Sequence, residues 1–165
     1  MLNEIISFIP NNKSINVIDA TFGGGGYSRA IIEKFKVDQF IAIDRDPISK
    51  ILSKDIKSKY PNFSIINDRF SNIDKVVEKN NSRNKKFDII LFDLGTSSNQ
   101  IDNSNRGFSF NKKGPLDMQM GLNDKNAFEI INNYEEKNLA NIIFKYGEEK
   151  YSRIIAKEIV KNRKI

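Results

Sequence analysis

A run of four glycines and three aspartates carries the chemistry this sequence can do. Gly23, Gly24, Gly25 and Gly26 follow the apolar pair Val17-Ile18 and Asp19, and Asp44 stands 19 positions after Gly25. Asp93 closes another apolar run, in Phe92-Asp93-Leu94-Gly95. Glycine has no Cβ, so such a turn takes positive φ and lets a ligand approach bare backbone. A helix that begins directly after the turn offers unpaired N–H groups and a partial positive charge. That is where nucleotide-like ligands are held. An acid about 20 residues past the glycines suits ribose hydroxyls, because a carboxylate supplies acceptor oxygens and no donor. Asp19 lies near the same crevice, as a ligand contact or as the residue that orders the turn. Asp46, followed by Pro47, reads as a helix N-cap rather than a ligand contact.

The elements that must position these residues follow from periodicity. Strands are expected at 15–20, 39–43, 63–66 and 87–94, and helices at 27–35, 47–59 and 73–79. A short amphipathic helix over 2–9 precedes them, with Leu2, Ile5, Ile6 and Ile9 on one face. The alternation predicts an α/β fold with a parallel sheet and helices on both sides. The near-continuous apolar run 87–94 predicts a strand buried on both faces. Residues 80–86 read as a polar, basic surface loop.

Residues 95–123 show no periodicity but carry Phe108, Phe110, Leu116, Met118 and Met120. That is too apolar for a disordered tail, and predicts a folded loop packing over a site. Helices are expected again at 127–132, 135–146 (ended by Gly147) and 148–162. The last should bury the face of Tyr151, Ile155 and Ile159. Lys157, Lys161, Arg163 and Lys164 make its far end basic. The domain reading is a ligand-binding domain over 1–123 and the start of a helical domain over 124–165.

Composition narrows the classes. The 165 residues include no cysteine and no histidine. Disulfides, thiolate metal sites, histidine-bound zinc and an imidazole base are therefore excluded within this chain, and no metal is expected. A net charge of +6, from 27 Lys+Arg against 21 Asp+Glu, suits an anionic partner such as RNA. No apolar run reaches the roughly 20 residues of a membrane span, and the first residues do not form a signal peptide. The expected location is the cytoplasm. The oligomeric state is left open.

Glycines and Asp44 alone leave NAD and S-adenosylmethionine both open. The turn lacks a strict G-x-G-x-x-G, since Ser28 stands at the third glycine's place. Asp93 at the carboxyl edge also suits a methyl donor or a substrate amine. Both features tilt toward the second ligand.

Longer motifs carry a resemblance. DATFGGGGYS (Asp19 to Ser28), IDRDP (Ile43 to Pro47), FDLGTSSNQID (Phe92 to Asp102), RGFSFNKKGPLDMQM (Arg106 to Met120) and YGEEKYSRIIAKEIV (Tyr146 to Val160) occur in this order. With them the chain resembles the bacterial 16S rRNA cytosine-N4 methyltransferase family, known as RsmH or MraW. The pairing of RGFSF with GPLDM is the most specific part.

The resemblance implies a Rossmann-like class I S-adenosylmethionine methyltransferase with a partial parallel sheet in the order 3-2-1-4. Helices of an inserted substrate-recognition domain follow. It implies S-adenosyl-L-methionine as cofactor, methyl transfer to N4 of a cytidine in the decoding region of 16S rRNA, and 16S rRNA or the small ribosomal subunit as partner. Carried over residue by residue, the cofactor contacts fall on Gly25, Gly26, Tyr27, Asp44, Phe70, Asp93 and Gln100. Phe70 would lie against adenine, and Asp93 is also the catalytic candidate, accepting a hydrogen bond from the target amine. Tyr27 stands where the family usually has histidine.

Phe108 and Phe110 are expected first as anchors of their loop and second as rings that stack on an extruded cytosine. Lys112 and Lys113 are candidate phosphate contacts. The family's later segments lie beyond Ile165, so a truncated copy that keeps most cofactor contacts without full activity is expected. Such a chain leaves the fourth strand at a sheet edge or covered only by insertion helices. Two other readings stand beside this one: a nucleotide-binding oxidoreductase and a non-catalytic RNA-binding module.

Overall fold

The computed structural model describes residues 2–80 and 85–163, so residues 81–84 of the expected basic loop, and Lys164, lie outside the described residues. The chain divides into two compact units. The first comprises residues 1–100 with 120–122, and the second residues 101–119 with 123–165.

The first unit is built on a parallel sheet of β1 (Ile15–Asp19), β2 (Val37–Asp44), β3 (Phe63–Asn67) and β4 (Ile89–Leu91). The strand order is β3-β2-β1-β4, as the family resemblance implies. In register, Asp19 pairs with Ala42 and Leu91, and Asp44 with Asn67. All four carboxyl ends therefore lie along one edge. Alternation along each strand feeds two cores. Ile15, Val17, Phe40, Ala42 and Phe63 pack with Ile6, Ile9, Ile31, Phe35 and Ile56. Those partners come from α1 (Leu2–Ser7), α2 (Gly26–Lys34) and α4 (Lys54–Lys59) and from the residues just after the first two. Ile18, Ala20, Ile41 and Ile43 pack on Val76 of α5 (Ile73–Lys79) on the opposite face.

Three expectations change here. The fourth strand is only Ile89–Leu91 and is not buried on both faces: Leu91 is covered, but Ile90 is 52% exposed and Leu94 71%. β4 has β1 as its neighbour at the sheet edge, and Val76 of α5 packs with Ile18, Ile41 and Ile43 in a cluster that does not include Ile90. The helix expected over 47–59 is broken into α3 (Ser49–Leu52) and α4 around buried Ser53. At that break the Leu52 carbonyl accepts a hydrogen bond from the Arg29 guanidinium at 3.0 Å, and Arg29 also pairs with Asp55. In α1, Ile6 is buried while Leu2 and Ile5 stay exposed.

After α6 (Ser98–Asp102), the second unit holds α7 (Ala127–Asn133), α8 (Glu136–Gly147) and α9 (Ser152–Lys161). A capping box starts α7: the Asn126 side chain accepts from the Glu129 amide, and Glu129 returns to the Asn126 amide, satisfying two orphan donors. The turn after α8 puts the left-handed conformation on Glu148 (φ 53°) rather than on Gly147. The buried face of α9 also differs from the expected one. Ala156 packs with Leu139 and Ala140 and Ser152 is buried, while Tyr151, Ile154 and Ile155 are exposed. Small side chains allow two helices to approach closely, so packing follows Ser152, Ala156 and Ile159 rather than the bulkiest residues.

Candidate functional site

The glycine turn is held from three directions. Gly25 is the N-cap of α2 in the left-handed conformation, at φ 79°. A Cβ at Gly25 would come within 2.6 Å of the Phe22 ring, whereas one at Gly26 meets nothing within 4 Å. Gly25 is thus glycine for its backbone, and Gly26 borders open space at the first turn of α2. The Asp19 carboxylate lies beneath, fully buried, accepting from the Ser28 hydroxyl at 2.6 Å and the Thr21 amide at 3.1 Å. Of its two expected roles, this is the one that orders the turn. Burial pushes its pKa up to about 6, against the hydrogen bonds from Ser28 and Thr21, with the charges of Asp44 and Asp93 adding to the rise.

Asp44 ends β2 and faces the turn. Its Oδ2 accepts the Gly23 amide at 2.6 Å, and its Oδ1 accepts the Asp46 amide at 2.8 Å. Burial raises its pKa, while the N–H groups of Asp46 and Gly23 oppose the rise. Asp46 is itself buried. It accepts from the Ile48 amide at 3.3 Å but does not cap α3, which begins at Ser49 with Ile48 at its N-cap and no side-chain cap, so the expected capping role is not what the structure shows. Its other oxygen accepts from the Gln100 side-chain amide at 2.9 Å, and Gln100 Oε1 accepts from the Ser97 amide at 3.0 Å. A continuous chain of hydrogen bonds thus runs Gln100–Asp46–Asp44–Gly23. Both ends of the buried Gln100 amide are engaged inside the protein.

Asp93 lies two residues beyond the end of β4, not at its last position, and its side chain is exposed. Its amide donates to the Thr21 hydroxyl at 2.7 Å, which ties the Asp93 segment to the glycine turn. Phe70 opens a short 3-10 turn after β3 and is 44% exposed. Its ring meets Phe92 edge to face, with centroids 5.6 Å apart and planes at 86°. Tyr27 is half-buried on the first turn of α2. The carboxyl edge therefore gathers Gly25, Gly26, Asp44, Gln100 and Asp93 around one turn. Phe70 joins them through Phe92, the residue preceding Asp93.

Sequence reasoning missed Thr21, Phe92 and the strap of Met120–Leu122. Arg45 donates to the Gly121 carbonyl at 3.0 Å and Arg69 to the Leu122 carbonyl. Gly121 has φ +80° and lies so close that a Cβ would meet the Arg45 carbonyl at 2.2 Å. A glycine followed by an aliphatic within an aperiodic loop is a weak signal, and contacts 76 residues apart leave no local pattern.

In the second unit the 101–119 segment is folded, as expected of it. Arg106 donates to the Gln119 carbonyl, and its own carbonyl accepts from Met118 at 3.0 Å. Phe108 is half-buried, but Phe110 is fully exposed and anchors nothing, which corrects its first expected role. Among the described residues no helix is long and apolar enough to cross a membrane.

A parallel sheet in this order, with a glycine turn and an acid converging at its carboxyl edge, defines a Rossmann-like α/β protein. Comparison with known proteins narrows this. The profile of the MraW methylase family matches residues 1–165. The proteins named Ribosomal RNA small subunit methyltransferase H of Brucella ovis and Brucella canis are each 37% identical over 133 residues, 80% of this chain and 38% of theirs. A solved Streptococcus pyogenes structure, described as a conserved hypothetical protein, aligns with a TM-score of 0.47 at 15% identity, over 58% of this chain and 57% of that one. The chain belongs to the MraW methylase family. It spans 38% of the length of these curated relatives.

Proposed function

We propose that the carboxyl-edge crevice binds S-adenosyl-L-methionine and serves methyl transfer to N4 of a cytidine in the decoding region of 16S rRNA. The observation that carries this reading is Asp44 held against the glycine turn through Gly23, in a chain of the MraW methylase family. The residues suit the cofactor. Gly26 and Gly95 leave open space where a Cβ would stand, and the α2 N-terminus offers N–H groups. Each Asp44 oxygen accepts one backbone N–H and retains a lone pair for a ribose hydroxyl. Phe70 keeps at least one ring face for adenine, because an edge-to-face neighbour covers no more than one. Gln100 acts through Asp46, fixing the loop that carries Asp44. Tyr27, Gly25 and Gly26 form the wall at the start of α2.

The cofactor, when bound, supplies a methyl group on a sulfonium centre that is already a strong electrophile. The protein's task is then alignment, and a chain without histidine can perform it. Asp93 is the residue assigned to the target amine. Its backbone is tied to Thr21, and its carboxylate is exposed and accepts an N4 hydrogen bond that orients the amine. Residues 1–123 form the cofactor domain on this reading, and 124–165 begin the substrate-recognition domain. The partner is 16S rRNA or the small subunit, in the cytoplasm.

The test is transfer of labelled methyl from S-adenosylmethionine into small-subunit rRNA, followed by nucleoside analysis. Label in N4-methylated cytidine is the expected result, and label in another nucleoside overturns the specificity. A second reading, a chain that binds cofactor or RNA without full activity, is favoured by the exposed Ile90 and Leu94 beside Asp93. It takes over when S-adenosylhomocysteine binds but no label transfers.

A further inference from the structure

We propose that the tip of the 107–114 loop is a docking point for single-stranded RNA, with Phe110 stacking on an unpaired base and Lys112 and Lys113 meeting the neighbouring phosphates. The loop is braced at its base. A Cβ at Gly107 (φ +72°) would meet the Pro115 carbonyl oxygen at 2.2 Å, and one at Gly114 would meet the Ser104 carbonyl oxygen at 1.9 Å. The two arms press together backbone to backbone, and Arg106 adds its bonds to residues 118–119. At the far end Phe110 is fully exposed, two residues after half-buried Phe108. A fully solvated ring on a braced loop is presented at little further ordering cost.

Charge identifies the partner. Residues 103–116 contain Arg106, Lys112 and Lys113 and no acid. Lys112 donates to the Asp102 carbonyl at 2.6 Å and lies 3.8 Å from the Asp102 carboxylate. That pair is solvent-facing and weak, and the ammonium keeps other donors. An aromatic face beside cations is the recurring platform for single strands, where bases are free to stack; a duplex hides those faces. The inference rests on the RNA substrate proposed above and adds where on the chain that RNA is held.

The experiment titrates a fluorescein-labelled single-stranded RNA oligonucleotide of mixed sequence into the 165-residue chain at several salt concentrations. F110A should weaken binding by about 5- to 100-fold and F110W should restore it. K112Q with K113Q should reduce the slope of log affinity against log salt by about 1.4 in magnitude, roughly 0.7 per lost phosphate contact. Melting temperature and S-adenosylhomocysteine affinity should be unchanged in all three variants. Unchanged RNA affinity in F110A overturns the proposal, as does duplex RNA binding as tightly as single strands. Displacement by poly-glutamate together with a neutral F110A assigns the lysines to an acidic protein partner instead. Should S-adenosylhomocysteine fail to bind the unmodified chain, the cofactor reading fails separately from this one.

Discussion

The Asp44 carboxylate accepts the Gly23 amide at 2.6 Å, joining the end of β2 to the glycine turn across 21 residues of sequence. On the proposed function, the acid that shapes the turn is also the one that takes a ribose. Replacing it therefore removes two functions at once. Asp44→Asn, which keeps one acceptor oxygen, should destabilise the fold by about 1–2 kcal/mol by leaving the Gly23 or Asp46 N–H unpaired. Thermal unfolding checks this. A melting temperature equal to the parent's would mean the turn does not depend on that contact.

Adjacent glycines should respond in opposite ways. Gly25→Ala places a Cβ against the Phe22 ring at a positive φ and should cost about 1 kcal/mol or more. Gly26→Ala meets nothing and should leave stability unchanged or slightly raised, while weakening S-adenosylhomocysteine at least several-fold by filling the space at the helix start. Melting curves and calorimetry on the pair separate backbone need from ligand clearance. Equal losses of stability in both would refute the distinction.

Asp19 makes stability depend on pH in a definite direction. Its folded pKa is about 6, against an ordinary value of 3.8. Between those values the folded state holds more protons than the unfolded chain, so this group's contribution declines as pH rises. The loss reaches about 3 kcal/mol above pH 6. Asp44, also raised, acts in the same direction. Asp19→Asn, with an acceptor left for Thr21 and a donor for Ser28, should flatten the pH 4–7 stability profile. Denaturant unfolding across that range provides the check, and a slope identical to the parent's would contradict the assignment.

Asp93→Asn should lower turnover far more than S-adenosylhomocysteine affinity if its carboxylate orients the target amine. Single-turnover methyl transfer beside calorimetry reads both. Equal losses would make Asp93 a cofactor contact alone.

Gly114→Ala should open the 107–114 loop, since the added carbon collides with the Ser104 backbone. Hydrogen exchange should accelerate over 101–119 and not over β1–β3. Uniform acceleration would show that the loop's packing is not local.

Much of this was legible in the residues because local rules governed it. The β-α-β spacing gave the parallel sheet, the family resemblance gave its strand order, and the four glycines announced a tight turn. What was not legible depended on distant partners. The run 87–94 is apolar enough for a two-faced strand, yet Ile90 is 52% exposed and is not part of the core cluster that Val76 of α5 completes. Tyr151, Ile155 and Ile159 have helical spacing, but Ala156 and Ser152 let α8 approach on another face. Gln100 and Asp46 lie 54 residues apart and Asp93 and Thr21 72 apart; neither pairing has a local signature.

The most direct measurement is calorimetry of S-adenosylhomocysteine with this chain and its Asp44→Ala variant. Saturable one-site binding is expected for the parent, weakened at least tenfold in the variant while a circular dichroism spectrum shows the fold retained. No binding by the parent, or stabilisation by NAD in place of S-adenosylhomocysteine, would contradict a crevice made for that cofactor.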